Sequence, residues 1–220
     1  MNKKLLRKKL ALMLSNLKRP RKYYTEVEYL ESSGKQYIDT GIYFDVTKNF
    51  EVNTVVMNLD NNRKVIIGDF YVDTIQSYSL EFGGTQNSKP QYLRTYINFR
   101  TPQDAERNLW GSSQLSLNTV YTVNQKWVAS TKYEETTYNG TTDTVTRTVE
   151  PNIAVNTHTL KLFLDNRNST STIANPLRIY KLQIIQNNVL VRDFIPVLDW
   201  DMTPCMYDKV TGKLFYNQGS

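Results

Sequence analysis

Hydrophobic and polar positions alternate with a period of two over most of this chain, the pattern of a β-strand with one buried face. In "FEVNTVVMNL" Phe50, Val52, Thr54 and Val56 share a face. In "YLRTYINFR" Leu93, Thr95, Ile97 and Phe99 oppose Arg94, Tyr96, Asn98 and Arg100. "TLKLFLD" turns Leu160, Leu162 and Leu164 to one side. "RKVIIGDFYV" is apolar almost throughout, as a central strand covered on both faces would be. "YSLEFGG" adds a further strand. In "YLESSGKQYIDTGIYF" a turn at Ser32, Ser33 and Gly34 is expected to feed a strand from Gln36 to Phe44.

Turn residues punctuate these runs. Asn139-Gly140 supplies the two positive φ angles of a type I′ hairpin turn. It predicts a long hairpin with arms near 127–138 and 141–149. Beyond the turn Thr142, Thr144, Thr146 and Thr148 fall on one face, a ladder suited to a solvated sheet surface. "LRIYKLQIIQNNVLVRDFIPV" reads as two strands around Asn187-Asn188. "CMYDKVTGKLFYNQG" reads as a closing hairpin with Thr211-Gly212 near its turn. Ten or more short strands with almost no helix after residue 25 predict an all-β fold. An antiparallel two-sheet sandwich, a jelly roll, buries such a pattern.

The first 22 residues follow another period. Leu6, Leu10, Met13, Leu14 and Leu17 fall at i, i+4, i+7, i+8 and i+11, one face of an amphipathic helix. Pro20 and the charges around it mark a linker. The chain therefore divides into a helix and linker, 1–22, and a β domain, 23–220. Charge follows the same boundary. The whole chain is +6 in its 220 residues, but residues 1–22 hold nine Lys/Arg and no acid, which leaves the β domain slightly acidic. A nucleic-acid reading is thus confined to residues 1–22. Their apolar centre is short and no small-x-small cleavage site follows, so they make a poor secretion signal. No run approaches the ~20 apolar residues of a membrane span. The helix is suited to docking on a partner protein or to forming a homo-oligomer; an anionic membrane surface and nucleic acid are its other readings.

Candidate chemistry is sparse. Cys205 and His158 are the only residues of their types, which excludes an intrachain disulfide and multi-His zinc sites. His158 reads as a strand-entry residue. Glu134 and Glu135 are adjacent and would point to opposite faces, so they do not make the paired carboxylates of a glycosidase. Asp199 and Asp201 are two apart in what reads as an irregular loop after Pro196. "DNRN", with Asp165 and Asn168, and "DWD", with Asp199 and Asp201, are the compact oxygen clusters where a calcium ion would be sought. No other cofactor is expected. Exposed aromatics beside amide groups suit sugar binding. Trp110, Tyr133, Tyr138 and Asn139 are the candidate ligand-binding residues, while Trp127 and Trp200 read as core.

The string "YLESSGKQYIDTGIYF" and the close, "LRIYKLQIIQNNVLVRDFIPV" followed by "MYDKVTGKLFYN", resemble the two ends of a concanavalin A-like, laminin-G-like jelly roll. That domain occurs in phage and prophage structural proteins of gut bacteria. The resemblance brackets residues 27 to 219; the middle matches only in β character. It implies a non-enzymatic virion protein, a tail fibre, head decoration or other surface module assembled in the bacterial cytoplasm. It implies other virion proteins as partners and a host-surface or mucosal glycan as ligand. A carbohydrate-active enzyme of the same fold, and an internal virion protein touching nucleic acid through residues 1–22, are the alternatives.

Overall fold

In a computed structural model the chain is described over residues 23–69, 76–83, 91–98, 108–148, 158–164 and 176–219. The segment 1–22, with its expected helix and the anchor positions Leu6, Leu10, Met13, Leu14 and Leu17, lies outside them, as do Asp165 and Asn168. Among the described residues there are sixteen strands. They are β1 (Tyr24–Glu26), β2 (Leu30–Ser32), β3 (Ile38–Asp39), β4 (Phe50–Asn58), β5 (Lys64–Gly68), β6 (Ser77–Phe82), β7 (Tyr92–Asn98) and β8 (Asn108–Gln114), then β9 (Val120–Val128), β10 (Tyr133–Tyr138), β11 (Thr141–Thr146), β12 (Lys161–Leu162), β13 (Leu177–Gln186), β14 (Val189–Asp199), β15 (Pro204–Asp208) and β16 (Lys213–Tyr216).

Two antiparallel sheets form. One runs β11-β10-β9-β4-β13-β14-β15-β16, with β1 added to β14 and β2 to β13. The other runs β3-β12-β5-β6-β7-β8. No helix occurs among the described residues, so none there is long and apolar enough to cross a membrane. The architecture is the expected all-β sandwich of jelly-roll type.

The period-two pattern sets which face is buried. On β4, Phe50, Val52, Thr54 and Val56 are buried and their neighbours are not. From the other sheet, Tyr78, Leu80 and Phe82 of β6 and Leu93 and Ile97 of β7 meet them in the core. Phe44, Phe50 and Tyr78 form a ring cluster with centroids 5.1–5.3 Å apart. Trp127 is fully buried beside them and its Nε1 donates to Val46 O at 2.9 Å. Burial of such rings contributes roughly 2 kcal/mol each or more before entropy is counted.

The hairpin turns fall where the sequence places them. Asn139 and Gly140 have φ of 47° and 78°, and Asn187 and Asn188 have 48° and 64°. Gly212 also takes a positive φ, 69°. Thr142, Thr144, Thr146 and Thr148 are exposed as the ladder requires. The hairpin arms are shorter than expected. Lys132, at φ 54°, turns the chain between β9 and β10, so 127–128 belong to the preceding strand.

The strand expected from Gln36 to Phe44 shrinks to β3, two residues long, because Gly41 at φ 66° takes the chain out of extended geometry. Ser33 and Gly34 do form the predicted turn. Gln36 Oε1 accepts the backbone N–H of Ser33, Gly34 and Lys35 at 3.0, 3.2 and 3.3 Å. The stretch then joins the two ends of the domain: Tyr37 N–H donates to Asn217 Oδ1 at 3.0 Å and Gln218 N–H to Tyr37 O at 2.9 Å. Its work is architectural.

Candidate functional site on the outer face of the six-stranded sheet

Residues that alternate with the core positions of β6 and β7 point away from the opposite sheet. Thr95 Oγ1 lies 3.1 Å from Thr136 Oγ1 of β10 across the interior, which fixes the inward face. Ser77, Ser79, Glu81, Arg94 and Tyr96 therefore line the outward one. The strand register extends this face sideways: Arg94 pairs with Glu81 on one flank and Trp110 on the other, and Tyr96 pairs with Asn108.

These polar residues are buried. Arg63 is 2 % exposed, Glu81 0 % and Arg94 8 %. Glu81 sits between two arginines. Arg94 Nη1 is 2.6 Å from Glu81 Oε1, and Arg63 pairs with Oε2 through both Nε, at 3.0 Å, and Nη2. A buried carboxylate is tolerated only when paired and hydrogen-bonded, and this pairing supplies both. Burial pulls the Arg94 pKa below its ordinary value, with Glu81 opposing that shift. Arg94 Nε also donates to Asn108 Oδ1 at 2.6 Å. Its guanidinium carbon lies 5.1 Å from the Trp110 ring centroid and 5.5 Å from that of Tyr96. Trp110 is half-buried, so one fixed aromatic surface remains at the rim of a charged floor.

Asn108 and Trp110 are the partly exposed members of this arrangement, while the Arg63–Glu81–Arg94 triad lies buried and holds the Arg94 guanidinium beside the indole. Such a set binds polar, partly apolar ligands. Both Glu81 carboxylate oxygens are engaged by the two arginines. A carboxyl group away from this face has a strongly altered titration. Burial raises the Glu134 pKa to about 7, against the opposing pull of Arg147, whose Nε donates to Glu134 Oε2 at 2.5 Å. Glu134 is fully buried inside the sandwich, so this is an interior ion pair and not a catalytic acid at a cleft.

The four sequence-derived ligand candidates do not converge. Trp110 belongs to the face just described. Tyr138 is buried: its hydroxyl donates to Asp143 Oδ2 at 2.9 Å and accepts the Ser113 N–H at 3.1 Å, tying β8 of one sheet to β10 and β11 of the other. It is a strut. Tyr133 alternates with buried Glu134 on β10, and its hydroxyl donates to Glu135 at 2.9 Å on the outside of the larger sheet. Asn139 is the exposed turn residue of the hairpin. Trp127 is core, as expected. Trp200 is not: it is 76 % exposed.

Arg63, Glu81, Arg94 and Tyr96 were not singled out as site residues in the sequence. Their only signal there is a polar position opposite a buried one, which every half-solvated strand shows. Register alone reveals that three charges meet.

The Asp199–Asp201 stretch is a tight hairpin turn and not an irregular loop. Pro196 lies within β14, and the Met202 N–H donates to Asp199 O at 3.0 Å. Asp199 Oδ1 accepts the N–H of Asp201 and Thr203, each at 2.9 Å, and Oδ2 accepts the Tyr216 hydroxyl at 3.0 Å. Its carboxylate is thus engaged in the turn. Among the described residues no group of three or more His, Cys, Asp or Glu side chains is placed to hold a metal.

No family model matches the sequence, and no curated protein does either. Solved structures do match in shape. A candidate carbohydrate-binding protein from Bacteroides ovatus aligns over 88 % of this chain at TM-score 0.57 and 11 % identity. The present chain spans 59 % of that protein's length. The CBM40 domain of the Ruminococcus gnavus IT-sialidase aligns over 76 % of this chain and 93 % of its own, at TM-score 0.54 and 15 % identity. Laminin α1 domains LG4-5 of the mouse align over 79 % of this chain and 47 % of theirs, at TM-score 0.52 and 14 % identity. At such identities the likeness shows the fold alone, a two-sheet sandwich of jelly-roll type.

Proposed function

We propose that the domain is a non-catalytic carbohydrate-binding module and that the outer face of the six-stranded sheet is its glycan site. The observation that carries this reading is the Arg63–Glu81–Arg94 triad stacked against half-buried Trp110. Sugars present hydroxyls that pair with amide groups such as that of half-buried Asn108, and C–H faces that lie on an indole. The fold relatives support the ligand class. One is described as a candidate carbohydrate-binding protein, and the CBM40 domain is also known bound to α2,3 sialyllactose. Cleavage of a glycosidic bond needs two carboxyl groups spaced about 5 to 10 Å across it. Both Glu81 oxygens are taken up by Arg63 and Arg94, which favours the non-catalytic reading.

The module belongs, on this reading, to the surface of a phage particle as a fibre or decoration protein. Residues 1–22 attach it to other virion proteins. The terminal motifs support this setting.

Isothermal titration of the full chain against sialylated and neutral oligosaccharides tests the site. Binding that Trp110→Ala weakens tenfold or more, with the melting temperature little changed, is expected. Binding that Trp110→Ala leaves intact would remove this face as the site. Release of reducing ends from those glycans would overturn the non-catalytic assignment. Absence of the protein from purified particles would overturn the virion setting.

A further inference from the structure

The outer face of the larger sheet carries a second cluster, built from the two stretches that mark the ends of the domain. β2, from "YLESSG", pairs with β13, from "LRIYKLQ", so that Glu31 stands opposite Arg178 and Leu30 opposite Ile179. Leu30 and Ile179 are buried, which turns Tyr29, Glu31, Arg178 and Tyr180 outward. Arg178 Nε donates to Glu31 Oε2 at 2.7 Å, and its guanidinium carbon lies 4.3 Å from the Tyr29 ring centroid. The Tyr29 and Tyr180 rings stand 5.6 Å apart at 56°. On the other flank Met57 of β4 is opposite Arg178, and the Tyr180 hydroxyl approaches its sulfur at 3.9 Å.

A β-bulge brings one more group to this face. The register of β13 on β4 shifts between Ile179 and Lys181, so that Lys181, opposite Val55, joins Tyr180 on the outward side. Thr54 Oγ1 donates to the Lys181 carbonyl at 2.8 Å and holds the bulge in place. The cluster is rich in donors and poor in acceptors. Arg178 keeps N–H groups beyond those directed at Glu31 and the Met57 sulfur, and Lys181 has no acidic partner among the described residues. Two cations thus face the single carboxylate of Glu31. The Arg178 and Glu31 side chains are 30 % and 38 % exposed, so a ligand can reach them. What completes such a set is an anionic oxygen pair for the cations, joined to a ring whose C–H face lies on the tyrosines. We infer that Arg178, Lys181, Tyr29 and Tyr180 form a binding site for an acidic saccharide, its carboxylate on the two cations and its ring against the tyrosines. This site lies on the sheet opposite to Trp110 and does not depend on the glycan reading of that face.

Isothermal titration of the full chain with oligogalacturonate, a hyaluronan tetrasaccharide and α2,3 sialyllactose tests the site, with their carboxylate methyl esters as uncharged counterparts. At least one acid is expected to bind, and its ester about tenfold more weakly or not at all. Arg178→Gln and Lys181→Gln, both outside the core, should each weaken that binding about tenfold with the melting temperature little changed, whereas Trp110→Ala should leave it within about twofold. Failure of all three acids to bind overturns the site. Binding that Trp110→Ala removes and Arg178→Gln leaves intact assigns the sugar to the smaller sheet and also overturns it. A thymidylate tetramer binding as tightly would show that charge alone is read, which overturns the saccharide class.

Discussion

Arg94 lies across the ring of Trp110, its guanidinium carbon 5.1 Å from the centroid, while its Nη1 holds Glu81 at 2.6 Å. One side chain thus joins the buried charge of the sheet to its half-exposed aromatic rim. Removing that charge leaves Glu81 with Arg63 alone. Arg94→Met is expected to cost about 3 kcal/mol, because breaking a buried ion pair strands part of a carboxylate away from water. Urea unfolding of the variant checks it. A loss under 1 kcal/mol would mean that Glu81 is better hydrated than its burial indicates.

Glu134 makes stability depend on pH. In the unfolded chain it titrates near 4.5; in the folded chain burial raises it to about 7. Between these values the folded state keeps a proton that the unfolded state has released. Stability is therefore expected to fall as pH rises from 4.5 to 7, by at most about 3 kcal/mol, and to level off above. Asp199, held below the usual carboxylate range mainly by the Thr203 N–H, acts in the opposite sense only as the pH falls below 4. Glu134→Gln should flatten the slope between pH 4.5 and 7 in thermal melts. An unchanged slope would assign it to another group.

Gly111 lies directly over Tyr138. A Cβ built there stands 2.5 Å from the tyrosine hydroxyl oxygen and 2.9 Å from its ring carbon. Gly111→Ala must push aside a ring that also ties Ser113 to Asp143. A loss of about 1–3 kcal/mol is expected from such overpacking. The double variant Gly111→Ala/Tyr138→Leu, which frees the space, should recover part of it.

Met202 occupies a left-handed conformation at φ 63°. Relief of that strain, about 1–2 kcal/mol, exceeds the entropy that glycine adds to the unfolded chain. Met202→Gly should therefore raise stability by about 0.5–1 kcal/mol in chemical denaturation. A destabilised variant would show that Met202 makes contacts outweighing its backbone strain.

Alternation of apolar and polar residues fixed the secondary structure of β4 and β7 and their inward faces, because a strand's two sides are separated by a rotation that the sequence itself records. Asn139-Gly140 and Asn187-Asn188 fixed two turns, because few residues other than glycine and asparagine enter the left-handed region cheaply. The site was legible only in Trp110. Arg63, Glu81 and Arg94 are far apart in sequence and meet because β5, β6, β7 and β8 align in one register; that relation is a property of pairing between strands. The same holds for errors of placement. Tyr138 looked like a surface ring at a hairpin tip, yet the edges of two sheets close over it. Trp200 looked like core, yet the four-residue turn between β14 and β15 leaves it 76 % exposed. Local pattern determines which way a side chain points from its strand. Only the tertiary structure decides what stands on that side.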